Sequence, residues 1–254
     1  MEVVEECVRL FGWVDVYSEK ARRLRENMET DTYFDIPFVR MRGVPDSLVM
    51  GIYKRAFDCS AAAFGLVLAA PLLLATALVI KLTSPGPVFY VSERIGYRGT
   101  PFRFYKFRSM RLEADRDESR RQTVQQYIRD ENAGLPSKIV NTSYVTPVGR
   151  FIRKWAIDEV PQLFNVLKGD MSIVGPRPSP TEEYAFNDEW QKRRFDIKPG
   201  CTGLWKLHTS TEKGLPFSQS VLYDIYYARN VNPLLDLYII LGTIRIILAG
   251  KADG

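Results

Sequence analysis

Apolar residues are concentrated most strongly between Cys59 and Ile80, where the chain reads CSAAAFGLVLAAPLLLATALVI without a charge. A run of about 22 such residues is long enough for a bilayer helix. Pro71, near its middle, predicts a kink, because proline removes a backbone donor and crowds the preceding turn. Basic residues flank both ends: Lys54 and Arg55 before it, and Lys81, Arg94 and Arg98 after it. Positive flanks mark the cytoplasmic side of a membrane. A helix over about residues 54–81 that enters, bends at Pro71 and returns to the same face accommodates both flanks. A kinked span is the alternative, and the buried helix of a soluble protein is the plain structural reading.

Elsewhere the periodicity is weaker. Val4, Val8, Phe11 and Val14 recur at helical spacing, so residues 2–27 are expected to form an amphipathic helix. A polar connector with Pro37, Gly43 and Pro45 follows, and residues 1–50 are taken as an extension to a main domain at 51–254. After the apolar run, TSPGP predicts a sharp turn. Short strands are expected on either side of Gly99-Thr100-Pro101, with Phe102, Phe104 and Lys106 on one face and Arg103, Tyr105 and Phe107 on the other. Residues 111–131 are highly charged and predict a solvated helix or lid. Val160, Leu163, Phe164 and Leu167 predict a short helix over 159–167 that stops at Gly169. A last helix is expected to start at Pro233.

Composition narrows the class. The chain has 254 residues, 46% of them hydrophobic and 26% charged, which suits a folded protein with a real core. A net charge of +5 favours anionic partners such as nucleotides or phospholipid headgroups. Cys7, Cys59 and Cys201 are odd in number and far apart, so they outline neither a disulfide framework nor a zinc site. The single histidine, His208, excludes a histidine-rich metal site and is expected in a loop. The acidic start MEVVEECVRL is not a signal peptide.

The candidate chemistry lies in AIDEVPQ, residues 156–162. In the plain reading Asp158 caps the following helix, Glu159 complements its dipole and nothing reacts. The surroundings add to that. Arg150, Arg153 and Lys154 lie just upstream, and Arg177 sits between two prolines, in a stiff loop after a strand expected within GDMSIVGPRP. Helix amino ends and arginines attract phosphate. Carboxylates recruit magnesium shared with substrate phosphates. An aspartate kept ionised by such neighbours can be a nucleophile toward phosphorus.

These pieces together resemble the bacterial sugar transferases, the monotopic phosphoglycosyl (polyprenyl-phosphate sugar-1-phosphate) transferases. The matching stretches are KRAFD, SPGPVFYVSERIGYRGTPFRFYKFRSM, TPVGRFIRKWAIDEVPQLFNVLKGDMSIVGPRP, KPGCTGLW and LLDLYIILGTI, in family order over roughly residues 51–250. The resemblance implies a mixed α+β, helix-dominated enzyme with short strands in its catalytic domain. It would be held on the cytoplasmic face of the inner membrane by a re-entrant helix and would contact membrane lipid. It would move a sugar-1-phosphate from a UDP-sugar to polyprenyl phosphate, release UMP and begin a surface glycan. The family's Asp-Glu dyad falls on Asp158 and Glu159, with Asp158 the nucleophile, Glu159 supporting metal or proton, and both serving Mg2+. Arg177, Lys106, Arg108, Arg153 and Arg94 are the implied substrate-binding residues. Trp155-Ala156 stands where the family has small hydroxylated residues, which bears on sugar specificity.

The rival functions are direct displacement without a covalent intermediate and a non-catalytic membrane scaffold. A basic nucleic-acid binder is disfavoured by the apolar segment. The N-terminal extension is compatible with a homodimer.

Overall fold

The structure is a computed structural model that describes residues 13–17, 30–33, 36–42, 48–111, 113–114, 142–211 and 216–250. The chain divides into two compact units, residues 1–46 and 47–254. In the first, β1 (Trp13–Tyr17), β2 (Thr30–Tyr33) and β3 (Ile36–Arg42) form an antiparallel sheet in the order β1-β3-β2. This corrects the expected helix over 2–27 at β1, and the expected connector at β3. The segment WVDVY is aromatic and β-branched apart from one aspartate, a strand-prone composition that competes with helical spacing. The remainder of that expected helix lies outside the described residues, as does all but a few residues of the charged segment 111–131.

The second unit is helix-dominated with short strands. It opens with α1 (Leu48–Thr83), one helix of 36 residues with Pro71 inside it. At 1.5 Å per residue it is about 54 Å long, well beyond a bilayer's hydrocarbon core. Only a narrow stripe of α1 is covered, at Asp58, Ala62, Thr76 and Ile80. Phe64, Val67, Leu68, Leu74, Leu78 and Leu82 face outward. Near Ala62 the helix is small in side chain and the neighbouring helix comes close: a Cβ added at Gly65 would stand 3.1 Å from Leu163.

Both ends of α1 are tied to this unit. At the start, Lys54 pairs with Asp236 at 2.8 Å, and Arg55 donates to the carbonyls of Val166 and Leu167 at 2.7 and 2.8 Å. Asp58 accepts from Ser172 Oγ at 3.0 Å and from the Ile173 N–H at 2.9 Å. At the exit, Arg108 donates to the carbonyls of Pro85 and Ser84 at 2.7 and 2.8 Å. Helix ends leave carbonyls without internal partners, and arginine supplies donors for them.

β4 (Phe89–Ile95) and β5 (Pro101–Phe107) form the expected hairpin, from Phe89 opposite Phe107 to Ile95 opposite Pro101. The turn between them needs left-handed backbone at Gly99, with φ +75°. Next come α2 (Pro147–Lys154), α3 (Gln162–Lys168) and β6 (Ser172–Val174). β7 (Ser179–Pro180) pairs with β4, and α4 (Thr181–Ala185) and α5 (Glu189–Lys192) follow it. β8 (Gly200–Thr202) runs parallel to β6. Among the described residues, three helices follow: α6 (Leu204–Thr211), α7 (Phe217–Arg229) and α8 (Pro233–Leu248). As expected, α8 begins at Pro233, capped by Asn232, and α3 stops at Gly169 with φ +93°. His208 lies in α6, stacked on Tyr223 at 3.8 Å between ring centroids, and not in a loop.

Among the described residues, three clusters form the core. Val174, Leu204, Tyr223, Tyr227 and Ile239 join β6 to the C-terminal helices. Ala62, Phe104, Val166 and Met171 join α1, β5 and α3. Ile80, Phe107, Ile152 and Ile157 join the end of α1 to β5 and α2. The last two clusters flank the segment that carries the dyad.

Candidate active site

The dyad is placed by a sharp backbone reversal. Thr146 caps α2 by accepting from the Gly149 N–H at 2.9 Å, and Pro147 fills the first turn. Gly149 packs so tightly on the Ser109 carbonyl that any side chain there would collide with it. Helix α2 ends at Lys154, and Ala156 takes the left-handed conformation, with φ +52° and ψ +22°. This is uncommon for a residue with a side chain. Ile157–Glu159 then form a 3-10 turn, closed by Glu159 N–H to Ala156 O at 3.1 Å. Ile157 is the anchor, buried against Ile80, Phe107 and Ile152.

Asp158 is therefore not the cap of the next helix, which corrects the sequence expectation. It sits inside the 3-10 turn, 7% exposed, and α3 starts at Gln162 with Pro161 before it. Proline has no N–H and a preset φ, so it suits the junction between the two helical pieces.

Glu159 is held from two sides. Lys106, on β5, meets Oε1 at 2.9 Å, and Lys206, on α6, meets Oε2 at 2.7 Å. Burial works against the charge of Lys206, yet Glu159, and more weakly Asp158, hold its pKa above the ordinary lysine value. Cys201 is close by on β8. Burial, reinforced by the Glu159 charge, pushes its thiol up to about 12, so it is inert as a nucleophile.

A second ionic group surrounds Arg177. Its guanidinium reaches both oxygens of Glu183 at 3.1 and 3.2 Å, and its backbone N–H donates to Asp224 at 3.3 Å. Arg194, almost wholly buried, donates to Ser179 at 2.9 Å and Glu183 at 3.1 Å, and lies 3.7 Å from Asp224. Burial opposes the charge of Glu183, but Arg177 and Arg194 prevail and hold its carboxyl down at about 2. Burial dominates at Asp224 and pushes it up to about 7, and its Oδ1 finds no hydrogen-bond partner.

Phe104 lies between the two groups. Arg94 is 5.2 Å from its ring centroid and Lys106 is 5.5 Å. Arg94 also donates to the carbonyl of Pro178, next to Arg177, at 3.5 Å. Of the residues singled out in the sequence, Glu159 and Lys106 thus meet directly, Asp158 precedes Glu159 in the same turn, and Arg94 shares the Phe104 ring with Lys106 and reaches the loop of Arg177. Arg108 is engaged at the exit of α1, and Arg153 stands in the last turn of α2. Lys206, Glu183, Arg194 and Asp224 did not stand out in the sequence. Lys206 follows directly on the KPGCTGLW stretch, which was the one available signal.

Among the described residues no three His, Cys, Asp or Glu side chains gather to hold a metal by themselves. The expected magnesium ligands are Asp158 and Glu159; both are carboxylates that could share such an ion with substrate phosphate oxygens, and Glu159 already meets a lysine at each oxygen.

A family model described as bacterial sugar transferase matches residues 49–250. The chain is 38% identical over 200 residues to the galactosyl transferase CpsE of Streptococcus agalactiae serotype III (strain NEM316), covering 78% of this chain and 43% of that one. It is also 38% identical over 211 residues to the UDP-N-acetylgalactosamine-undecaprenyl-phosphate N-acetylgalactosaminephosphotransferase of Aeromonas hydrophila, covering 80% and 45%. It is 35% identical over 208 residues to the exopolysaccharide production protein ExoY of Sinorhizobium fredii (strain NBRC 101917 / NGR234), covering 80% and 88%. The chain thus spans less than half the length of the first two relatives and most of the third.

Proposed function

The chain belongs to the bacterial sugar transferase family, and from that premise we propose that it transfers a sugar-1-phosphate from a UDP-sugar to polyprenyl phosphate. The product is a polyprenyl diphosphosugar, the first lipid-linked unit of a surface glycan. The observation that carries this reading is Asp158, buried in a rigid turn beside a carboxylate bracketed by two lysines. The Aeromonas relative's name, with its UDP-sugar and undecaprenyl phosphate, supports the substrate classes.

In this mechanism an Asp158 carboxylate oxygen attacks the sugar-bearing phosphorus. The bond from that phosphorus to the bridging oxygen breaks, and UMP leaves with the electron pair. A phosphate oxygen of the polyprenyl phosphate then attacks the same phosphorus, and the Asp158–phosphorus bond breaks to restore the carboxylate. No net proton transfer is needed in either step. Lys106, Lys206, Arg94 and Arg177 supply positive charge where phosphate oxygens gather. Magnesium, held by Asp158 and the phosphates, would neutralise further diphosphate charge.

Membrane association follows from the outward apolar face of α1 and from the exposed Leu234, Leu237, Tyr238, Leu241 and Leu248 of α8. Both ends of α1 are bound to the same unit, which supports a same-side, re-entrant seating on the cytoplasmic face over a span. In a cysteine-free background, Gly51→Cys and Lys81→Cys should label from the same side of the membrane; opposite-side labelling rules the seating out.

The direct test is UMP release from a panel of UDP-sugars with undecaprenyl phosphate and magnesium. Mass spectrometry of protein quenched with donor alone should find a phosphosugar on Asp158. Turnover without that adduct, and undiminished in Asp158→Asn, would mean direct displacement.

A further inference from the structure

Lys206 belongs to none of the stretches that identify the family resemblance, yet it is the better-buried of the two lysines at the dyad. Its side chain is 7% exposed, against 25% for Lys106. A buried ammonium without a counter-charge is strongly disfavoured, so its 2.7 Å contact with Glu159 is required by its location. The reverse also holds. Lys106 meets Oε1 and Lys206 meets Oε2, so each lysine holds one oxygen of the carboxylate.

The two ammoniums arrive on rigid supports. Lys106 projects from β5, next to the buried Phe104 and Phe107. Lys206 projects from α6, whose Leu204 lies in the core cluster of Val174, Tyr223, Tyr227 and Ile239. On the same helix, Leu207 abuts Gly242 of α8 so closely that a Cβ there would stand 2.9 Å away. A carboxylate gripped by two such supports has little freedom to turn toward another partner. Each Glu159 oxygen keeps a second lone pair, but a metal ion ligated there would lie beside an ammonium held in a short, charge-assisted contact, and the like charges would repel.

We propose that Lys206 is a positioning residue of the dyad: with Lys106 it fixes Glu159 as a bridging anion, and so sets the 3-10 turn that aims Asp158. Glu159 then serves neither as a magnesium ligand nor as a proton carrier. Its charge holds two like-charged ammoniums side by side and leaves the trio with net charge +1, facing arriving phosphates. The proposal rests on the transfer reading above and assigns within it a role to Lys206 and a narrower role to Glu159.

The test compares Lys206→Met, Lys206→Arg, Glu159→Gln and the double variant Lys206→Met/Glu159→Gln in the full-length protein in nanodiscs. Lys206→Met should lower kcat at least tenfold while donor KM moves less than threefold. Lys206→Arg should recover most of that loss. The double variant should be no worse than the poorer single one, because both remove the same clamp. The magnesium concentration for half-maximal rate should move less than threefold in Glu159→Gln. An unchanged kcat in Lys206→Met, fully additive losses, or a tenfold rise in the magnesium requirement of Glu159→Gln each overturn the proposal. Thermal midpoints of the same four proteins give a second cycle that needs no turnover: non-additive shifts support the clamp and additive shifts overturn it. If the wild type turns over no donor while the midpoints couple, the transfer reading fails and the clamp stands.

Discussion

Two ionic clusters lie on either side of Phe104, built from the same kinds of residue and exposed to different degrees. In the first, Glu159 sits between Lys106 and Lys206 with its side chain 22% exposed. In the second, Glu183 sits between Arg177 and Arg194, and Arg194 and Asp224 are 1% exposed. Water reaches the first cluster, so a substrate can too. The second is closed except at Arg177, which presents one partly open side chain on an otherwise sealed scaffold. A charge in the first cluster is therefore available for chemistry. A charge in the second exists to hold Arg177 and its loop. Buried pairs add little net stability when complete and are damaging when broken.

The largest expected effect separates the clusters by function. Asp158→Asn should reduce transfer by about a thousandfold or more, since it removes the nucleophile. Its thermal midpoint should stay within a few degrees of wild type. A comparable loss of stability would mean that the dyad is structural.

Next, Arg194→Met should destabilise the protein by about 3–5 kcal/mol in urea unfolding, because it leaves Glu183 and Asp224 buried with too little positive charge. A change under about 1 kcal/mol would erase the contrast between the clusters.

The pH dependence of stability sharpens the comparison further. Asp224 has its folded pKa raised to about 7, so its contribution is complete below its ordinary value of 3.8 and is lost as the pH rises toward 7. Glu183 has the opposite sign: its contribution is complete above 4.5 and is lost as the pH falls toward about 2. In Asp224→Asn the decline of the urea midpoint between about pH 4 and 7 should flatten, whereas the acid-side loss should persist. A slope identical to wild type would show that Asp224 does not titrate in this window.

The smallest effect concerns the reversal at Ala156. Ala156→Gly should change stability by less than about 1 kcal/mol, since relief of the left-handed strain is offset by a freer unfolded chain. Ala156→Val should cost roughly 1–2 kcal/mol, because a β-branched residue fits that conformation poorly. Thermal unfolding of the pair would reveal whether the turn is as constrained as its dihedral angles indicate.

Much of this molecule is legible in its sequence where the signal is local. The bilayer-length apolar run, the hairpin around Gly99, the stop at Gly169 and the start at Pro233 all depend on side chains within a turn or two. The N-terminal unit shows the limit of such signals. Val14 suits both a helical stripe and the β-branched, aromatic run WVDVY, and pairing with β3 selects the strand. At the site, Asp158 and Glu159 stand out as adjacent carboxylates, but their setting does not. A cap and an interior position of a 3-10 turn differ by a few dihedral angles, and the burial of Ile157 against Ile80, Phe107 and Ile152 decides between them.

The sequence by itself determined the chemical inventory: an uncharged apolar run, a carboxylate pair, and arginines and lysines enough to meet phosphate. Those properties travel with the residues wherever they are placed. Tertiary structure alone decided which charges meet. Lys206 reaches Glu159 across 47 residues and Lys106 does so across 53, while Lys54 finds Asp236 across 182. Arg108, grouped by motif with the phosphate binders, instead closes the exit of α1. The physical reason is that a charge is steered by whatever counter-charge or bare carbonyl the packed backbone brings within hydrogen-bonding distance, and that distance is set by the fold of the whole unit.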